Sequence, residues 1–128
     1  LLNHCITRPR NDLEAMNPKG FINRYVFPDG ELEGPGRIQV AMNDNGFEIR
    51  HQENLREHYA LTLRHWGANL ERHWEEAVAE VGEGTARVWR LYMAGCVLGF
   101  ERDVVQLHQI LGVKLDGTES HMPLRPTF

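Results

Sequence analysis

Val104-Val105-Gln106-Leu107-His108-Gln109-Ile110-Leu111-Gly112-Val113-Lys114-Leu115 is the stretch on which the fold reading turns. Val105, Leu107, Gln109, Leu111, Val113 and Leu115 alternate with Val104, Gln106, His108 and Ile110. Successive side chains of a strand point to opposite faces, so 104–115 reads as a β-strand. The residues before it keep a different period. Val88, Tyr92, Cys96 and Gly99 share one face of a helix that Thr85 is expected to cap and that runs to Phe100. Ahead of Gly82-Glu83-Gly84, the residues Leu55, Tyr59, Leu63, Trp66, Leu70, Trp74, Ala77 and Val81 step by threes and fours. That stripe predicts one long helix of ~40 Å at about 1.5 Å per residue. Asn54 with Glu57 three positions later resembles a capping box at its start. Gly67 interrupts it at a cost of about 1 kcal/mol against Ala, so a bend or close contact is expected there.

Toward the N-terminus, Phe47 and Ile49 alternate with Glu48 and Arg50, the pattern of a half-buried strand. Leu1 to Thr7 is a third strand, ended by Arg8-Pro9-Arg10 because proline cannot continue a ladder. Between these two, 8–18 reads as loop and 20–27 (GFINRYVF) as a short helix, followed by a Pro28-Asp29-Gly30 turn. A weak helix over 37–44 is stopped by Asn45-Gly46. The order is strand, helices, strand, two helices, strand, with strands at about 1–7, 47–53 and 104–115. This is an α/β chain. It opens on an apolar segment without Met, like a strand entered partway, and is expected to be a fragment. The exposed edge of such a strand would favour self-association.

At 128 residues the chain fits one modest domain or part of a larger one. Eighteen acidic residues against fourteen basic ones give a net charge of −4, which argues against nonspecific nucleic-acid binding. No apolar run approaches the roughly 20 residues needed to cross a bilayer. Cys5 and Cys96 lack the spacing of a zinc or disulfide framework, which favours a reducing, cytoplasmic setting.

Two polar residues stand out. His4 lies near the carboxyl end of the opening strand, where ligands collect in parallel α/β sheets. The alternative is a ring satisfied by backbone or water. Tyr59 sits on the apolar stripe, and a buried hydroxyl there needs a partner, either a ligand or a backbone carbonyl. His51, His58 and His65 recur every seven residues, whereas helical chelation needs spacings of three or four, so a solvated face is the better reading than a metal site. Cys5 would need a neighbouring base, and His4 points to the opposite face. Cys96 and the residues Trp66, Trp74 and Trp89 read as packing. Phe21, Ile22, Tyr25, Val26 and Phe27 form an apolar patch, either a small satellite core or one wall of a substrate channel. No glycine-rich turn leads from a strand into a helix, so the chain carries no nucleotide site of its own.

Four segments, LLNHCITRP (1–9), FINRYVFPDGEL (21–32), LREHYALTLRHW (55–66) and RLYMAGCVLGFERDVVQLHQIL (90–111), occur in one order that covers nearly the whole chain up to residue 115. Together they resemble the cyclopropane-fatty-acyl-phospholipid synthase and mycolic acid cyclopropane synthase family of methyltransferases. The resemblance implies a class I, Rossmann-like methyltransferase fold, a seven-stranded sheet with an antiparallel strand inserted near one edge. Residues 1–115 would be the C-terminal portion of its catalytic domain, with a lid insertion over about 8–45 and a tail over 116–128. The strands that bind S-adenosylmethionine would lie upstream, with no cofactor-binding residue in this chain, so the fragment alone is expected to be inactive.

By the same resemblance, the methyl of S-adenosylmethionine goes to the double bond of an unsaturated acyl lipid. A cyclopropane or a methyl or methylene branch results, and a bound bicarbonate accepts the proton that the cation loses. His4 by its side chain, Ile6 by its backbone N–H and Tyr59 by its hydroxyl would hold that anion. Phe21, Ile22, Tyr25 and Phe27 would line the acyl site. A cytoplasmic protein touching the inner membrane surface fits this picture; a non-catalytic acyl-binding or interaction module is the competing class. The chain departs from the family pattern at Cys5, where many relatives have Thr, at Gly67, and over 33–38 (EGPGRI), which lacks the usual Leu-Pro-Ser-like run.

Overall fold

The computed structural model describes residues 1–10 and 17–125; the remainder of the predicted loop, at 11–16, and the last three residues lie outside that description. Among the described residues the chain forms three strands and five helices. These are β1 (Leu2–Thr7), α1 (Phe21–Tyr25), α2 (Pro35–Asp44), β2 (Glu48–Asn54), α3 (Arg56–Arg72), α4 (Trp74–Val81), α5 (Glu83–Glu101) and β3 (Gln106–Val113). The sheet order is β1-β3-β2, with β3 antiparallel to both neighbours. β1 and β2 therefore run parallel to each other with the last strand inserted between them, the arrangement expected of an inserted antiparallel strand.

β3 starts two residues later than the alternation predicts. Val104 N–H and Val105 N–H both donate to Gly99 O at the end of α5, at 2.9 and 3.3 Å, and cannot join the ladder. Pro35 opens α2 two residues earlier than expected, since its fixed φ suits the first helical position. Gly46, at φ +80, follows the end of that helix. Part of the predicted tail is folded: Asp116 and Glu119 exchange backbone hydrogen bonds at 2.9 Å around Gly117.

The helix expected over 55–81 is two helices that meet at His73 (φ −111, ψ 32). Backbone hydrogen bonding runs through the junction, from His73 to Asn69 O and from Ala77 to His73 O, each at 3.0 Å, so the chain is kinked rather than broken. Trp74 lies under the Arg90 guanidinium at 5.3 Å, and Arg90 also pairs with Glu71, which braces both sides of the kink. α3 runs unbroken through Gly67, and the close contact expected there is absent, since a Cβ would meet nothing within 4 Å. The capping box is absent as well. Asn54 Oδ1 accepts the N–H of Arg56 at 3.0 Å, while the Glu57 carboxylate turns to the Arg56 guanidinium. Thr85 is not a cap: α5 begins earlier, at Glu83, after Gly82 with φ +80 and ψ 154, a conformation that favours glycine.

One face of the sheet packs against α3 and α5 around Ala60, Leu63, Phe100 and Leu107, with Ile6, Tyr59 and Cys96 beside them. Arg56 donates to the carbonyls of Phe100 (2.5 Å) and Glu101 (3.3 Å), so the first residue of α3 satisfies carbonyls left open at the end of α5. The opposite face packs on α2. There Gly112 is needed, because a Cβ would lie 2.6 Å from Met42 Cε and 3.1 Å from Phe47 Cβ.

That second face also buries a polar pair, Thr7 Oγ1 with His108 Nδ1 at 2.8 Å. Burial pushes the His108 pKa below its ordinary value of 6.5. The folded chain therefore holds His108 neutral while the unfolded chain can protonate it, so the stabilisation is complete above the ordinary value and falls as the pH drops below it. Thermal melts should show a lower midpoint at pH 5.5 than at pH 7.5. The difference should persist in Thr7→Val, which keeps the ring buried but loses roughly 1–3 kcal/mol in urea titrations because Nδ1 is left without its partner.

Candidate functional site

His4 and Ile6 project from the same face of β1, two residues apart, onto α3. The His4 and Tyr59 ring centroids are 6.2 Å apart in an edge-on arrangement. Tyr59 is further held edge-on by Phe100 at 5.2 Å and by Trp66 at 5.7 Å. Burial raises its pKa, with Cys96 adding to the effect, so the phenol stays protonated and acts as a donor. No group among the described residues hydrogen-bonds its hydroxyl.

The pairing of β1 and β3 decides where the backbone of Ile6 points. Leu1 and Gly112 exchange both hydrogen bonds at 2.9 Å, and the register then alternates, so Leu1, Asn3, Cys5 and Thr7 face β3. Leu2, His4 and Ile6 turn their N–H groups to the outer edge of β1. Side chain and backbone of this strand thus offer two kinds of donor, the His4 ring, edge-on to Tyr59, and the Ile6 N–H at the outer edge of β1. His4 itself is exposed, and its Nδ1 lies 3.0 Å from the Gln109 side-chain nitrogen.

An apolar cleft reaches Ile6 and Tyr59. Its outer part, ≈ 910 Å³, runs between α1 and α5 and is lined by Phe21, Ile22, Leu91, Tyr92 and Val104, with Arg8 on its wall. A middle part of ≈ 280 Å³ adds Ile6, Phe27 and Phe100. The innermost part, ≈ 110 Å³, is lined by Ile6, Tyr59, Trp66 and Trp89. Tyr92 and Cys96 border all three. Desolvation raises the pKa values of both, and Tyr92 and Cys96, one turn apart, interact with each other, so the groups stay neutral in an otherwise apolar wall. Arg8 is ion-paired with Glu31, and its N–H donates to Glu33 O at 3.1 Å, which ties the end of β1 to the segment after α1.

The family model for mycolic acid cyclopropane synthetase matches residues 1–110. The chain belongs to this family. It is 55% identical over 128 residues to a "probable fatty acid methyltransferase" of Mycobacterium tuberculosis, covering 98% of this chain and 30% of that protein. It is also similar to the solved structure of a cyclopropane synthase from Mycobacterium tuberculosis, with 26% identity, a TM-score of 0.74, and coverage of 88% of this chain and 43% of the other. A mycolic acid cyclopropane synthase solved with SAH and CTAB gives 26% identity, a TM-score of 0.70, and coverage of 85% and 42%. The three-stranded sheet and its helices match the C-terminal part of those folds. The chain spans about 30% of the length of the curated relative that it resembles at 55% identity.

In this member of the mycolic acid cyclopropane synthetase family, Phe21, Ile22 and Phe27 line the cleft. Tyr25 does not line it: it is 55% exposed, packs on Phe21 at 5.7 Å and carries the Arg24 guanidinium over its ring. Cys5 faces away from His4 and its Sγ approaches His108 O at 3.9 Å. Trp66 and Trp89, read from sequence as packing, are 45% and 40% exposed and border the innermost cavity. Tyr92, Cys96 and Val105 were also read as helix face or strand and turn out to form the second wall. The spacing of Tyr92, Cys96 and Gly99 was the available signal, a helix face carrying polar and small residues where a plain core would carry aliphatic ones. Cys96 in a Cys5→Ser background should react with a maleimide more slowly than a free thiol at pH 7, because its raised pKa leaves little thiolate. A long-chain alkyl detergent that fills the cleft should slow it further, and unchanged labelling with detergent would count against an accessible apolar cleft.

Proposed function

We propose that these residues form the acyl-site end of an S-adenosylmethionine-dependent methyltransferase. It would act on the double bond of an unsaturated fatty-acyl lipid, giving a cyclopropane or a methyl or methylene branch. The observation that carries this reading is an apolar cleft whose innermost part is bordered by Ile6 and Tyr59, with the exposed His4 ring 6.2 Å from the Tyr59 ring. Family membership and a relative named for fatty acid methyl transfer support it. Residues 1–115 would belong to the catalytic domain and about 8–45 to a lid over the acyl chain. A cytoplasmic enzyme in contact with the inner membrane surface would meet such a substrate.

The cleft suits the chain of a lipid. Its lining offers dispersion contacts along Phe21, Ile22, Phe27 and Val105, and the Tyr92–Cys96 pair leaves no free charge against the substrate. At the inner end the donors fit a small anion: the tyrosine hydroxyl lacks a protein partner, the Ile6 N–H is turned away from β3, and His4 has one ring nitrogen beyond the one facing Gln109. These three would hold bicarbonate. When bound, that anion supplies a weak base for the proton given up by the alkylated acyl chain. His4, Ile6 and Tyr59 fix its orientation, and the apolar walls keep water from quenching the cation. Gly82 joins α4 to α5, two helices rather than a strand and a helix.

The test is a full-length enzyme in which these 128 residues replace the matching segment of the 55%-identical relative. It should transfer labelled methyl from S-adenosylmethionine to unsaturated acyl lipid and not to the saturated analogue. A folded chimera without that activity would refute the proposal. Tyr59→Phe should lower turnover by about 10²-fold or more, within the range for a group that handles protons, with little change in melting temperature. Phe21→Glu should raise the lipid concentration needed for half-maximal rate, since a charge is placed against the acyl chain; unchanged lipid kinetics would remove α1 from the channel wall.

A further inference from the structure

We propose that Gln109 is a positioning residue for His4: its side-chain N–H donates to Nδ1 and holds the imidazole as the neutral tautomer with hydrogen on Nε2. The inference rests on the reading of His4 as a ligand of the anion.

Three observations converge on the pair. The register sets His4 directly opposite Gln109. Because Leu1 and Gly112 form a hydrogen-bonded pair, His4 and Gln109 form a non-hydrogen-bonded one, the type in which facing side chains come closest. Gln109 Nε2 then lies 3.0 Å from His4 Nδ1. An amide N–H pointed at Nδ1 can be accepted only by a ring nitrogen that carries a lone pair. The proton of neutral His4 therefore resides on Nε2, and that N–H is the donor left for an anion.

The choice of an amide matters electrostatically. A carboxylate at 109 would draw the Nδ1 proton and favour imidazolium, and its own charge would repel an anion nearby. Glutamine orients the ring without adding charge. β3 also places the other side-chain donor, since Leu107 O, two residues away, accepts Leu55 N–H at 2.8 Å where the chain enters α3 and leads to Tyr59.

The experiment uses the full-length enzyme with ¹⁵N-labelled histidine, the His4 signal being assigned by its loss in His4→Ala. Wild type should show His4 with hydrogen on Nε2. Gln109→Leu should lose that single tautomer and raise the bicarbonate concentration for half-maximal rate by roughly ten- to a hundred-fold, the size seen when outer partners of ligating histidines are removed. The KM for lipid should not move. Gln109→Glu should shift the proton to Nδ1 and lose activity also. Wild-type His4 with hydrogen on Nδ1, or Gln109→Leu with unchanged bicarbonate dependence, would overturn the inference. Should Gln109→Leu fail to fold, the wild-type tautomer still decides. Full turnover by His4→Ala would instead defeat the anion reading itself, a result distinguishable from an inactive His4→Ala beside a fully active Gln109→Leu.

Discussion

The pairing of β3 with both of its neighbours is the constraint on which the rest depends. β3 hydrogen-bonds to β1 on one side and β2 on the other. The first partner carries His4 and Ile6; the second runs into α3 and Tyr59. Without the inserted strand those groups would sit on segments separated by some fifty residues of chain, with nothing to set their distance. Leu107 completes the arrangement from the same strand, buried to 1% exposure beneath Phe100 and Leu63, so the hydrophobic centre and the polar group share one support.

The periodic parts of this design were legible in the sequence and the relational parts were not. Alternation at 104–115 and the three-four stepping from Leu55 gave a strand and a helix because burial on one side imposes those periods. The kink at His73 carries neither glycine nor proline and is braced by Arg90 from another helix, so no local signal announced it. Gly67 sent a signal with no consequence, because nothing approaches the backbone there. For the site, the resemblance named His4, Ile6 and Tyr59, but their meeting depends on a register between residues about a hundred positions apart, which one sequence does not display. Tyr25 is absent from the cleft lining for a related reason. α1 is only five residues long, and its last residue turns outward with Arg24 rather than continuing the face begun by Phe21 and Ile22.

The chemistry of the cleft is consistent with its packing. Polar groups in an apolar wall are costly unless paired, and here each has company: Tyr92 with Cys96, Arg8 with Glu31. The Tyr59 hydroxyl has no hydrogen-bond partner among the described residues, while its ring meets those of His4, Trp66 and Phe100.

The bridge from Arg56 to the carbonyls of Phe100 and Glu101 has a mechanical side. It clamps the beginning of one long helix to the end of another, and the Arg64–Glu101 and Arg90–Glu71 pairs repeat the clamp along their length. That side of the cleft moves as one stiff plate. The facing side buries only Asn23 of α1 and is tied to the sheet at its rim through Arg8. A longer or bulkier guest would be accommodated more cheaply on the α1 side, which has fewer such ties. Variation in that short segment can retune what the cavity admits while the plate opposite keeps its shape.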